Sequence, residues 1–237
     1  MRRRTTVSEL LWPNVGDFVA SLDGVLGSAS ASLLDLVWRG YDLLAEDTAT
    51  VDFSQSFDDL ERDLTQLLES RIQRVMSGFE PFEIQHGPYE RESRMPAPAQ
   101  PPQYDLAFVL RSNGRIMWPL EAKVLPVAFL QYIQDIRSQF VTCRYGPFSS
   151  EGAMVGYLVS EDEESMFERI SSALSTTLEP HPAFLVRPHR ISTHDRSVPT
   201  GKEYPRSFSV HHVLMTFSRA TGTQTNSPIT PSDRSRM

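Results

Sequence analysis

The stretch YDLAFVLRSNGRIMWPLEAKVL, Tyr104 to Leu125, decides how the rest of the chain is read. Tyr104 to Leu110 is a short apolar and aromatic run, Ser112-Asn113-Gly114 is strong turn chemistry, and Ile116 to Leu125 is apolar again. That pattern predicts two strands joined by a tight turn. Away from the turn, three charged residues interrupt the apolar runs: Asp105, Glu121 and Lys123. Side chains alternate faces along a strand, so Glu121 and Lys123 share one side. The turn then fixes where Asp105 falls. A two-residue loop of Asn113 and Gly114 would set Asp105 opposite Ala122, facing away from both charges. A three-residue loop, with Ser112 and Asn113 in a type I turn and Gly114 in the left-handed conformation as a bulge, sets Asp105 opposite Glu121. The three-residue loop is the expected one. Pro119 cannot donate to a ladder and suggests an edge or a bulge just before the acid.

Two facing carboxylates repel and do not both stay ionised without a cation between them. Oxygen ligands favour magnesium or manganese in that place. Such an ion holds a phosphate oxygen and acidifies a bound water, while the Lys123 ammonium orients the water or stabilises developing negative charge. The chemistry expected from these three residues is phosphodiester hydrolysis.

Upstream, Ser56 opens the strongest helix in the sequence, with Asp58, Asp59 and Glu61 in its first turns, where acids suit the helix dipole. Phe57, Leu60, Leu64, Leu67, Leu68, Ile72, Val75 and Met76 form its apolar stripe. Glu61 lies inside that stripe, whereas Arg62, Asp63, Gln66 and Ser70 lie outside it. An acid there needs a partner. A strand over Phe79 to His86 precedes the hairpin, with a proline-rich segment from Met95 to Gln103 between them. A helix starting at Pro126 and carrying Phe129, Ile133, Ile136 and Phe140 inward follows the hairpin, with Tyr132, Gln134 and Gln139 placed to reach a substrate. Then comes the compact strand Ala153 to Ser160.

Asp105 followed by Glu121-Ala122-Lys123, in this order of helix, three strands, helix and strand, resembles the PD-(D/E)xK nucleases, the restriction-endonuclease-like superfamily. Tyr104 stands where the family's name has proline. The resemblance covers roughly residues 56 to 160, less than half of the chain. It implies an α/β restriction-endonuclease-like core, αβββαβ, with a mixed central sheet flanked by helices. It implies Asp105, Glu121 and Lys123 as catalytic residues, and Mg2+, with Mn2+ as a substitute, held by Asp105, Glu121 and a glutamate of the first core helix. Glu61 matches that glutamate and Glu69 is the fallback. The substrate implied is DNA, and the setting is the nuclease component of a bacterial restriction or anti-phage defence system acting with partner proteins. The alternative of a different class is a non-catalytic, nuclease-like module that binds nucleic acid or protein.

The rest of the chain bounds this reading. A length of 237 residues allows one domain with a sizeable core plus an appendage. The expected division is a helical appendage over 1–50, the nuclease domain over 51–219 and a disordered tail over 220–237. In the appendage, Ser32 to Glu46 has helical spacing and Asp17 to Leu26 is a weaker candidate. Cys143 is the single cysteine, which excludes an intramolecular disulfide and points to a reducing cytoplasm. Met1-Arg2-Arg3-Arg4 resembles the start of a leader, but Glu9 and Pro13 break up the segment after it, and no run approaches a membrane span.

The net charge of -7 weighs against a nucleic-acid enzyme. Arg187, Arg190, Arg196, Lys202 and Arg206 nevertheless outnumber Asp195 and Glu203 in their region, and a polar loop carrying Arg190, His194 and Arg196 is the expected grip on a phosphate backbone. Partner proteins that deliver the nucleic acid, or a homo-oligomer, are compatible with the acidic balance. Candidate strands at Pro182 to Arg187 and Phe208 to Phe217 extend the sheet, and a helix beginning at Glu161 to Glu164 carries Met166, Ile170 and Leu174. His211 and His212 point to opposite faces of the last strand, as core histidines. No three histidines stand at zinc-ligand spacing.

Overall fold

The computed structural model describes residues 15–47, 51–93 and 101–217; the leader-like segment and the tail expected from residue 220 lie outside them. Helix α1, Val15–Glu46, is one continuous helix of 32 residues where two shorter ones were expected. Helix α2 is Phe57–Val75. The Ser56 hydroxyl caps it by accepting from the Asp59 N–H, Asp58 and Asp59 occupy its first turn, and Arg74 lies in its last. Strands β1 (Phe82–His86), β2 (Leu106–Leu110) and β3 (Met117–Leu125) follow. Helix α3, Phe129–Asp135, runs on into a π-helical turn at Ile136–Phe140. It starts three residues later than expected, because Pro126 to Ala128 form a turn in which the Ala128 N–H donates to the Val124 carbonyl. Then come β4 (Glu151–Leu158), α4 (Glu163–Leu174), β5 (Glu179–Pro180), β6 (His189–Asp195) and β7 (Ser207–Thr216).

The strands form one seven-stranded mixed sheet in the order β1-β2-β3-β4-β7-β6-β5. The pairs β3–β4 and β4–β7 are parallel and the others antiparallel. Each face has its own core. On one, Leu60, Leu64, Leu68 and Ile72 of α2 meet Phe82, Leu106, Trp118 and Val124. On the other, Tyr132 and Ile133 of α3, Ile136 of the π turn, and Met166 and Ile170 of α4 meet Ala107, Met117, Leu125 and Leu214. The helix expected as an appendage belongs to the first face: Leu33, Leu34, Val37, Trp38 and Leu44 of α1 share its apolar cluster.

The hairpin register is the expected one, with Leu106 paired to Leu120 and Val109 to Met117. Its turn is not. Leu110 and Ile116 close a five-residue loop of two successive turns, Asn113 N–H to the Leu110 carbonyl and Ile116 N–H to the Asn113 carbonyl. Gly114 is not among the glycines with positive φ, so there is no left-handed bulge. The loop is two residues longer than expected and keeps register because one residue was added on each side. Pro119 marks neither an edge nor a bulge. It pairs with Ala107 inside the sheet, and its missing N–H costs no bond because the ladder with β4 starts one residue later, at Leu120 and Ala153.

Two further expectations change places. Pro182 to Arg187, expected as a strand, is a loop with Leu185 and Val186 exposed, and the expected polar loop at 189–195 is strand β6. Apolar content favoured the first and polarity disfavoured the second. Pairing along β7 overrides both, because the polar side chains of β6 find buried partners there: Ser192 hydrogen-bonds His212 and His189 hydrogen-bonds His211.

Helices α1 and α2 cross at Gly40, where a Cβ would lie 2.6 Å from Ile72 Cγ1 and 3.0 Å from the Ile72 backbone nitrogen. Gly40→Ala gains about 1 kcal/mol of helix propensity. The collision with backbone costs about 1–3 kcal/mol, and it wins. Urea unfolding is expected to show a lower midpoint for Gly40→Ala; a midpoint at or above the parent's would refute this account of the crossing.

Candidate active site where strands β2 and β3 part

Strand β3 runs on past the start of β2. The β2–β3 ladder ends at Leu106 and Leu120, because the chain before Leu106 stays with the continuation of β1. Gly87 N–H donates to the Asp105 carbonyl, Tyr104 N–H to the Pro88 carbonyl and Glu90 N–H to the Pro102 carbonyl. Tyr104 is buried and anchored, its hydroxyl donating to the Glu90 carboxylate and accepting the Gly146 N–H. The parting leaves two β3 donors, the N–H groups of Ala122 and Val124, without a strand partner. Buried donors demand acceptors. Asp105 Oδ2 takes the Ala122 N–H at 2.8 Å and Glu61 Oε2 takes the Val124 N–H at 3.2 Å.

These bonds bring the acids to Lys123. Its Nζ lies 3.0 Å from Glu121 Oε1, 3.4 Å from Asp105 Oδ2, 3.4 Å from Glu61 Oε1 and 3.6 Å from Asp135 Oδ2. It also donates to the Ala122 carbonyl at 2.6 Å. Asp105, Glu121 and Lys123 therefore converge as the sequence predicted, and Glu61 joins them. Glu69 does not; it accepts from Gln73 on its own helix.

Asp135 was not foreseen. On a regular helix it falls about 100° away from the nearest residue of the Phe129, Ile133, Ile136 and Phe140 stripe, well outside it. The inward face is in fact Tyr132, Ile133, Asp135 and Ile136, set just before the π turn shifts the helical phase. Tyr132, expected to reach substrate, is fully buried, with its hydroxyl 2.8 Å from His212 Nδ1, and His212 is bound in turn by Ser192. Gln134 is exposed and Gln139 half-buried.

Four carboxylates thus face one ammonium in a site where Glu121 and Lys123 are only 6% and 7% exposed. Burial pushes the Glu121 carboxyl well above its usual range, with Asp105 and Asp135 adding to the effect and Lys123 opposing it. Burial likewise raises Glu61 and Asp135 against the pull of Lys123. Burial alone would discharge Lys123, but Glu121, Asp105, Glu61 and Asp135 together outweigh it and hold the ammonium charged above its ordinary value. Glu121 Oε2 and Asp135 Oδ2 are buried without a hydrogen-bond partner. A cleft of about 430 Å³ bordered by Glu61, Arg62, Thr65, His86, Gln103 and Asp105 opens onto the cluster.

Arg190, His194 and Arg196, expected to grip phosphate, have partners within the fold. The Arg196 guanidinium is buried and donates to the carbonyls of Phe140, Ser149, Tyr145 and Gly146. Arg190 pairs with both oxygens of Glu164 and lies over the Phe167 ring. His194 is bonded to Ser192, Arg187 to Asp42 and Lys202 to Glu92. Local charge in the sequence did not reveal that these cations already have partners within the fold. Arg196 instead ties the loop after α3 to the segment between β6 and β7. Arg196→Ala is expected to lose about 3 kcal/mol or more in chemical denaturation, since several buried carbonyls lose their donors together. Arg196→Lys is expected to recover little of it, a single ammonium being unable to span four acceptors. Parent-like stability in either variant would refute the assignment.

The histidines hold the second surprise. His181, His189 and His211 are all buried, and their ring nitrogens approach within 4.8 Å of one another. The cross-sheet register makes this cluster: His181 and His189 flank one loop, and His211 comes from the neighbouring strand. Sequence spacing carried no sign of it. No protein-family model, curated protein or solved structure matches this chain.

Proposed function

We propose that this chain is a metal-dependent endonuclease of restriction-endonuclease-like fold that hydrolyses DNA phosphodiester bonds. The observation that carries the reading is the convergence of Asp105, Glu121, Glu61 and Asp135 on Lys123 where β2 and β3 part. The order of helix, three strands, helix and strand around that point supports it.

The donor set fits a hard divalent cation. It is all oxygen, it carries excess negative charge, and two of its oxygens are buried with no hydrogen bond. Asp105, Glu121 and Glu61 would hold Mg2+, with Mn2+ as a substitute and Asp135 within reach. When bound, the ion supplies Lewis acidity toward a phosphate oxygen and toward water. The chain supplies the rest. Lys123, fixed by the Ala122 carbonyl and by Glu121, keeps its positive charge where negative charge develops on the phosphoryl group and orients the attacking water. The cleft beside Asp105 leaves room for the substrate next to the cluster. Partner proteins, a bacterial defence setting and a cytoplasmic site of action belong to the same proposal.

Plasmid and single-stranded DNA incubated with Mg2+, Mn2+ or chelator test it. Cleavage is expected with either ion and none with chelator, and Lys123→Ala is expected to reduce the rate by about a hundredfold or more. Retained function in Lys123→Ala, or DNA binding without cleavage under every condition, would favour the non-catalytic module.

A second measurement reads the site without activity. Glu121, Glu61 and Asp135 have raised carboxyl values, so the folded state binds more protons than the unfolded chain. Their contribution is present below the unfolded carboxylate value and is lost as pH rises through the folded one. Buried His189 and His212, whose proton affinities the fold lowers, push the other way up to the unfolded imidazole value of about 6.5, so in chelator thermal stability is expected to fall as pH climbs above that value. Glu121→Gln should remove much of that slope and raise stability at neutral pH, while abolishing cleavage. A variant less stable than the parent at neutral pH would contradict the charge balance drawn here.

A further inference from the structure

We propose that His181, His189 and His211 form a zinc site on the face of the sheet opposite Glu121 and Lys123, three imidazoles that would hold the ion with its fourth tetrahedral position left to water. The geometry points there first. His189 Nε2 and His211 Nδ1 stand 3.2 Å apart. Two imidazole nitrogens on one tetrahedral zinc, each at about 2.0–2.1 Å, are separated by about 3.3 Å. The ring centroids are 4.6 Å apart for His181 and His189, 5.4 Å for His181 and His211, and 5.3 Å for His189 and His211. Three imidazoles around one tetrahedral ion have centroids about 5 Å apart. An all-nitrogen set selects a borderline ion such as Zn2+ and discriminates against Mg2+ and Ca2+, so this site and the carboxylate cluster take different metals.

The surroundings are those of a ligand set. His211 presents its other nitrogen to Glu151, Nε2 to Oε2 at 3.3 Å, the outer-shell carboxylate that fixes a ligating ring and its tautomer. Phe184 stacks on His189 at 13° between planes and closes the cluster from the loop side. The fold also has a use for a clasp. Strand β5 is only Glu179–Pro180, held to β6 by two residue pairs at the edge of the sheet. One ion would fasten both ends of the 181–189 loop to β7.

Two hydrogen bonds compete with the metal. Trp38 Nε1–H donates to His189 Nδ1 at 3.2 Å, and the Ala183 N–H donates to His181 Nδ1 at 3.1 Å. Each bond favours the tautomer with its proton on Nε2, the nitrogen that would ligate. Loading therefore moves those protons to Nδ1 and turns both donors aside. A single hydrogen bond is about an order of magnitude weaker than zinc binding, so the metal wins. The same competition predicts opposite effects of two neighbours, which a merely structural role would not produce.

The untagged full chain, purified without chelator, is expected to carry about one zinc per chain by elemental analysis, and Co2+ exchanged into it should give the visible bands of a tetrahedral nitrogen site. Glu151→Gln should weaken zinc binding by about tenfold or more, and Trp38→Phe should tighten it by up to about tenfold by removing the competing donor. His181→Asn should lose the ion, and Lys123→Ala should keep it, which separates this site from the proposed catalytic one. Parent protein with no zinc, no saturable zinc binding after demetallation and no change in melting temperature on adding zinc would overturn the proposal. His189 and His211 would then be a hydrogen-bonded chain from Trp38 to Glu151, with the His181 ring packed beside them. Zinc content, binding and melting temperature are all read on the parent chain, so they decide the matter even where a variant fails to fold.

Discussion

Strand β3 extends beyond its antiparallel neighbour, and the two amide donors exposed by that extension must be satisfied. The rest of the structure depends on how this is done. Asp105 and Glu61 accept from Ala122 and Val124, from opposite sides of the sheet's edge. A carboxylate used as a backbone cap is fixed to within hydrogen-bond tolerance, and both caps leave oxygen atoms aimed at Lys123. Backbone satisfaction, rather than attraction among the charges, therefore does the positioning. This matters because four acids around one ammonium would not assemble on electrostatics alone; Glu121 and Asp135 arrive on the rigid backbones of β3 and α3 and bear the repulsion.

Burial gives the cluster its chemical character. At the surface, these charges would be screened and of little consequence. Here the same burial that raises the carboxyl groups also strengthens their hold on Lys123, whose charge survives because its neighbours outweigh desolvation. A site that is strained in charge yet fixed in geometry is poised to gain from a divalent cation, and this is the physical content of the proposed hydrolytic function. The opposite face of the sheet carries a different set of groups: three imidazoles, an indole and a carboxylate packed beneath α1.

Reading by local pattern succeeded where spacing and geometry are tightly linked. Period-two alternation put Glu121 and Lys123 together, and the hairpin register set Asp105 opposite Glu121 even though the turn itself has a different form. The helical stripe identified Glu61 as an acid needing a partner. The same reading failed where a residue's fate depends on a distant segment. Asp135 enters through a break in helical phase, Arg196 is consumed by carbonyls some fifty residues away in sequence, and Pro182 to Arg187 has strand-like content without a strand to pair with.

By itself the sequence determined the α/β character, the hairpin and the inward charges on it, because those follow from the repeat lengths of strand and helix and from turn chemistry within about twenty residues. Tertiary structure alone decided that α1 shares the core of the sheet, that Arg187, Arg190, Arg196 and Lys202 have partners within the fold, and that His181, His189 and His211 meet. The reason is the same in each case. Burial and pairing between elements far apart in the chain set the free energy of a polar side chain, and neither is written in its immediate neighbours.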